Sequence, residues 1–176
     1  VAYEQRIDEG IARVASLPMP TLAVVEGWCV GGGLALATAC DVRIATASAK
    51  FGVPIARTLG NCLSIANVAR LVAAWGHARV QRMLIAAEII EADEARACGY
   101  LAQVVGDAEA AAQAHAARLA SLAPVTQAVS KEALQRLLVH DLPAAEDLIR
   151  RSYASDDFRE GVAAFTEKRS PRWRGR

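Results

Sequence analysis

The chain reads as an α/β protein, and three observations carry that reading. An apolar, β-rich run from Leu22 to Val25 breaks at Gly27, and Gly31, Gly32 and Gly33 then open a Leu/Ala run of helix formers. Val42-Arg-Ile-Ala-Thr46 alternates as a second strand. Beyond Ile65 most apolar residues recur at helical spacing.

Taken in order, Ile7, Ile11 and Val14 mark a first helix, ended by Pro18 and Pro20. The central strand and its glycine turn follow, then a helix from about Gly32 to Ala39 that stops before Asp41. After the second strand, Phe51-Gly-Val53 reads as a short third strand closed by Pro54. Ile55 to Ser64 is irregular and holds Arg57, Thr58, Gly60, Asn61, Cys62 and Ser64. Polar loop residues on a rigid scaffold are where binding and chemistry often sit.

Helices are expected over about 65–74, 77–87 and 91–98, the last capped by Gly99. Leu101 to Val105 reads as a strand, and from Asp107 the pattern is helical to near the end. Val125, Val129, Ala133 and Leu137, with Leu134 and Leu138, make the apolar stripe of one of these helices, and Pro143 starts the next. Three or four short strands are few for so many helices. Further strands are therefore expected, either upstream of Val1 or from another chain.

The strand, glycine turn and helix start expose backbone N–H groups. The first N–H groups of a helix lack intrahelical partners, and the helix dipole favours negative charge there. Such a turn can hold a phosphate or steady an oxyanion, or it can simply allow close strand–helix packing. It is not a dinucleotide fingerprint, because Leu36 stands where the last glycine is needed. Nor is it a P-loop, since Leu34 and Ala35 follow Gly33, and no G-x-S-x-G nucleophile elbow occurs.

A hydrophobic content of 53% is ample for one core, and a net charge of +1 gives no electrostatic argument for nucleic acid or membrane binding. No apolar run approaches a membrane span, and no signal peptide is visible. Because the chain begins at Val1 on a helical pattern, a processed or truncated start is expected. Cys29, Cys40, Cys62 and Cys98 form no C-x-x-C pair, so they read as buried thiols of a reducing, cytoplasmic protein and imply no metal site. His77, His115 and His140 are isolated and read as surface or helix-end residues.

The stretch from Pro20 through Gly27-Trp-Cys-Val-Gly31-Gly-Gly33 to Asp41 resembles the signature of the enoyl-CoA hydratase/isomerase (crotonase) superfamily. So do Asp41 to Gly52, Glu91 to Ala102, and the ending Asp156-Asp-Phe-Arg-Glu-Gly161 to Arg169. The resemblance covers nearly the whole chain but only the later part of a family member. It implies a crotonase-like spiral of ββα units, with residues 1–106 the later part of the core and 107–176 a C-terminal helical trimerisation region. The N-terminal units, which carry the other half of the CoA site, have no counterpart here.

The same resemblance implies a homotrimer or hexamer acting as a lyase or isomerase on an acyl-CoA substrate in fatty acid metabolism, with no cofactor beyond the CoA thioester. Gly32 is expected to give one of two amide donors to the thioester oxygen, the other belonging to the N-terminal part. Lys168 matches a residue that reaches the nucleotide of CoA bound to a neighbouring subunit, although the basic tail Lys168, Arg169, Arg172, Arg174 and Arg176 reads most simply as a solvated end.

The departure lies at the two glutamates with which family hydratases handle water and the α-proton. This chain has Ala35 and Ile55 there, and neither moves a proton. Asn61 stands near where other branches place an acid, and it reads either as a hydrogen-bonding group or as a turn residue after Gly60. Arg57 reads as a solvated loop arginine or as the partner of a carbonyl or of a carboxylate on a malonyl-type acyl group. Cys62 reads as an apolar filler, with nucleophilic catalysis a lesser alternative. A crotonase fold kept as a non-catalytic acyl-CoA binder or scaffold is the competing reading.

Overall fold

The computed structural model describes residues 2–138 and 146–174. Expectations for Val1, His140, Pro143 and Arg176 lie outside these residues. A helix, α1 (Ala2–Ala15), leads into β1 (Leu22–Val25), β2 (Trp28–Val30) and α2 (Gly32–Ala39). The next unit repeats the order, with β3 (Val42–Thr46), β4 (Lys50–Gly52), a 3-10 turn over Pro54–Ala56, then α3 (Ile65–Trp75) and α4 (His77–Ile85). The last strands, β5 (Ile89–Glu91) and β6 (Gln103–Val105), flank α5 (Ala92–Ala97).

The strands divide between two three-stranded sheets, ordered β1-β3-β6 and β2-β4-β5. Each ββ step therefore crosses from one sheet to the other. β1 pairs in parallel with β3, Val24 opposite Ile44, and β2 pairs in parallel with β4, Cys29 opposite Phe51. β5 runs antiparallel to β4. This is the ββα repetition that the resemblance implies.

Six strands are described, against the three or four expected. β2 and β5, three residues each, are the additions. Glu91 correspondingly closes a strand rather than opening the helix that follows it.

The main core lies between the sheets and α2–α5. Trp75 stacks on Tyr100 with ring centroids 3.8 Å apart, and Phe51 meets both rings at 5.5–5.6 Å. Such an aromatic cluster combines large apolar burial with preferred ring geometry. The Tyr100 hydroxyl lies 3.0 Å from Thr38 Oγ1, which satisfies the polar end of a buried ring. Arg43 donates to the Tyr100 carbonyl at 2.9 Å and to the carbonyls of Cys40 and Ala37, placing a cation at the C-terminal end of α2 where the dipole favours it. A smaller cluster, Ile11, Ala15, Ala35 and Ala39, joins α1 to α2.

Beyond Gly106 every described element is a helix: α6 (Ala108–Ala120), α7 (Pro124–Leu138), α8 (Glu146–Ala154) and α9 (Asp156–Thr166). α6 packs on β1 and β3. α7 is tied to the sheet by Lys131, whose buried Nζ donates to Asp41 at 2.8 Å and to the Met19 carbonyl at 3.1 Å. Its apolar stripe is not covered: Val125, Val129, Leu134 and Leu137 are 62–78% exposed.

Only Cys29 is fully buried, so the expectation of four buried thiols is corrected: Cys40, Cys62 and Cys98 are partly exposed. His77 starts α4, as a helix-end residue, whereas His115 sits half-buried within α6 with Nε2 3.3 Å from Gln103 Oε1. No helix among the described residues is long and apolar enough to cross a membrane.

Candidate functional site

The glycine turn is built by the pairing of β2 with β4. Gly31 donates its N–H to the Gly52 carbonyl at 3.0 Å and turns the chain at φ 54°, ψ −120°, a backbone state that a Cβ would strain. Its own carbonyl then accepts the first helical bond of α2, from Ala35 N–H at 3.1 Å. Between these two anchors lie the N–H groups of Gly32, Gly33 and Leu34. Among the described residues, no acceptor takes them.

Gly32 and Gly33 are exposed, and a Cβ on either would meet nothing within 4 Å. The turn thus offers unengaged donors at the positive end of a helix, with room for an atom to approach. Gly33 also lines an open groove of about 400 Å³. Its other walls include Val24, Leu36, Ala37 and Trp28, with Glu26 its carboxylate. Trp28 is 66% exposed, and Lys50 Nζ stands 5.5 Å from its ring centroid. The sequence reading missed this tryptophan as a lining residue, although its place between Gly27 and Gly31 was a usable sign.

Cys29 and Cys40 also line the groove. Burial pushes the Cys29 thiol up to about 11, and burial likewise raises Cys40 against the opposing effect of a Thr21 hydrogen bond. Raised thiols carry little thiolate near neutrality, so neither is poised as a nucleophile.

Ala35 and Ile55, which the resemblance sets where glutamates are expected, are both engaged in packing. Ala35 is 9% exposed in the α1–α2 cluster, and Ile55 is half-buried against the main core. Ile55 lies in the 3-10 turn that begins two residues beyond Gly52, so the turn leaves the strand end that anchors Gly31. Arg57, just after that turn, is exposed, and its guanidinium makes no hydrogen bond or ion pair among the described residues.

Asn61 belongs with the C-terminal helices. Ser152 of α8 donates to the Gly60 carbonyl at 3.3 Å, and Gly161 of α9 presses on Leu59. The Asn61 Oδ1 is buried and accepts no hydrogen bond among the described residues. Lys168 follows α9 as an exposed residue with φ 54°. Of the residues singled out from the sequence, Gly32 and the turn bearing Ile55 leave neighbouring strand ends, whereas Asn61 and Lys168 attach to the α8–α9 end. Among the described residues, no group of three or more His, Cys, Asp or Glu is placed to hold a metal ion.

The model of the enoyl-CoA hydratase/isomerase family matches residues 2–176. Mitochondrial methylglutaconyl-CoA hydratase of Rattus norvegicus is 33% identical over 98% of this chain and 58% of its own length. The (E)-benzylidenesuccinyl-CoA hydratase of Thauera aromatica is 33% identical over 89% of this chain and 63% of its own. The chain thus spans less than two thirds of the length of these curated relatives.

Among solved structures, methylmalonyl-CoA decarboxylase in complex with 2-nitronate-propionyl-CoA superposes with a TM-score of 0.89 at 27% identity, over 97% of this chain and 68% of that one. An enoyl-CoA hydratase/carnithine racemase from Magnetospirillum magneticum gives 0.73 at 34% identity, over 99% and 67%. The two-sheet ββα architecture, the glycine turn and the match over residues 2–176 agree, and the chain belongs to the enoyl-CoA hydratase/isomerase family.

Proposed function

We propose that the protein acts on an acyl-CoA thioester by steadying an enolate oxyanion on the main-chain amide of Gly32. The observation that carries this reading is the unengaged, open set of N–H groups at Gly32 and Gly33. An enolate oxygen gains most from donors that need not reorganise as charge develops, and losing one such donor costs about 3 kcal/mol of transition-state stabilisation. The second donor, from the family's N-terminal units, completes the hole in this reading.

Hydration by a glutamate pair does not fit. Ala35 and Ile55 supply neither acid nor base, and general acid–base work contributes roughly 100- to 10,000-fold. Decarboxylation of a malonyl-type thioester avoids that need. The bond between Cα and the carboxylate carbon breaks, its electron pair passes into the thioester carbonyl, and carbon dioxide leaves. The enolate held at Gly32 then takes a proton from water at Cα. No base is required to create the enolate, which is why this chemistry suits a site without the glutamates.

The TM-score of 0.89 to methylmalonyl-CoA decarboxylase, against 0.73 for the Magnetospirillum protein, supports this finer reading. In it Arg57, an exposed loop cation, receives the substrate carboxylate on binding, and Asn61 supplies a hydrogen bond. Lys168 reaches the CoA nucleotide on a neighbouring subunit. A homotrimer or hexamer agrees with the uncovered stripe Val125, Val129, Leu134 and Leu137, since exposed apolar patches mark association surfaces.

A second reading, an acyl-CoA binder or scaffold without catalysis, draws on the same Ala35 and Ile55. Incubating the complete protein with methylmalonyl-CoA and with crotonyl-CoA, while measuring CoA binding in parallel, separates the two. Carbon dioxide release without hydration supports the decarboxylase. Binding without either turnover supports the scaffold, and efficient crotonyl-CoA hydration contradicts the argument from the missing glutamates.

A further inference from the structure

Arg70, on α3, is a buried cation with no counter-charge among the described residues. It is 8% exposed, and its Nε is sealed from solvent with no acceptor. Among the described residues its guanidinium makes neither a hydrogen bond nor an ion pair. Asp8, which binds the same helix, is already held by Ser64 and Asn67, each at 2.7 Å. An arginine does not discharge itself on burial, so an unpaired guanidinium costs folding energy that a bound anion recovers.

Arg70 faces a cleft of about 380 Å³ between the end of α1, α3 and α7, a size typical of small-ligand sites. The other charges at this cleft are satisfied. Lys131 spends its donors on Asp41, Met19 and Thr21, and Glu132 pairs with Arg136. The balance at the cleft is thus one positive charge, that of Arg70. Gln135 lines it as well, and its amide forms no hydrogen bond among the described residues. The remaining walls are small and apolar, among them Ala12, Ala15, Leu17 and Ala128. None of its lining residues is shared with the groove beside the glycine turn.

We propose that this cleft binds a monocarboxylate with a short hydrocarbon chain, separately from any acyl-CoA at Gly32. The carboxylate lies against the guanidinium of Arg70, whose planar donors match two carboxylate oxygens, and the Gln135 amide is a further donor. The chain lies along the alanines of α1 and α7. One charge on the ligand meets one charge at the site, so a dianion such as phosphate is disfavoured. Because the ligand touches α1, α3 and α7 together, its binding stabilises the attachment of the C-terminal helices to the core.

The test is thermal unfolding of the complete protein in sodium hexanoate, sodium phosphate or sodium chloride at equal ionic strength. The Arg70 Nε–H resonance is followed by NMR in parallel. Hexanoate is expected to raise the melting temperature saturably, by roughly 5–10 °C at a hundredfold excess over Kd, and to shift that resonance. Arg70→Gln is expected to abolish the rise while unfolding without hexanoate at or above the wild-type temperature. Ala128→Phe, which keeps the arginine but fills the cleft, is expected to abolish it too.

An unmoved Nε–H resonance in wild-type protein overturns the proposal. So does an equal rise in Arg70→Gln or a phosphate response matching that of hexanoate. Protection that depends on protein concentration rather than on hexanoate also overturns it, since the counter-charge would then come from a second copy.

Discussion

Gly161 of α9 lies directly against Leu59: a Cβ at position 161 would come within 2.9 Å of the Leu59 Cα and closer still to its carbonyl. The absence of a side chain at 161 is what lets the C-terminal helix reach the loop that carries Gly60 and Asn61. Gly161→Ala is expected to destabilise the protein by about 1–3 kcal/mol, because backbone rather than a flexible side chain must yield. Denaturant midpoints check this, and an unchanged midpoint would show that α9 does not bear on the loop.

Lys131 and Asp41 form the clasp of α7, with the lysine side chain 8% and the aspartate 26% exposed. Removing one partner leaves the other charge poorly solvated. Lys131→Met is expected to cost about 2–4 kcal/mol, at or below the range for fully buried pairs because Asp41 keeps some water. Adding Asp41→Asn to Lys131→Met is expected to cost less than the sum of the single changes, since they share one interaction. Strict additivity in the double-mutant cycle would contradict the pairing.

Alkaline pH tests the burial of Cys29. Its thiol rises from 9.0 to about 11 because burial disfavours the thiolate. The folded state therefore holds its proton more tightly than the unfolded state, and stability falls as pH rises between those values. Burial raises the Tyr100 hydroxyl as well, which adds loss in the same direction at higher pH. Stability measured from pH 8 to pH 11 is expected to decline, with a shallower slope in Cys29→Ala over that window. Equal slopes would contradict the assignment to Cys29.

Much of this was legible in the sequence, and the failures have physical causes. The strands at 22–25 and 42–46, the helix at 32–39 and the cap at Gly99, whose φ is +84°, follow from apolar patterning and glycine placement. β2 and β5 were missed because three residues are too few to show a period, and β2 is bracketed by the glycines that drew attention to the turn. The stripe on α7 was visible as a period. Its exposure was not, because periodicity marks an apolar face without saying what covers it. Arg70 escaped notice because an arginine amid apolar helix residues reads as a surface group until its burial is seen.

Lys168 stands just beyond α9 with φ 54°, in the left-handed region where glycine is usual after a helix. Lys168→Gly is expected to stabilise the fold by about 1 kcal/mol by relieving that strain. If the lysine is retained for the nucleotide of CoA, the same variant is expected to bind acyl-CoA more weakly. Thermal unfolding and CoA affinity measured together check both; a more stable variant with unchanged affinity would remove Lys168 from the site.

The proposed chemistry depends on the amide of Gly32. Gly32 is the first residue of α2, where proline is tolerated, so Gly32→Pro removes the N–H with little cost to the helix. The decisive measurement is turnover of methylmalonyl-CoA by the complete protein with and without this substitution, alongside acyl-CoA affinity. A fall of roughly 100- to 1,000-fold in kcat, with acyl-CoA binding largely kept, is the predicted result. Turnover unchanged by Gly32→Pro would contradict it.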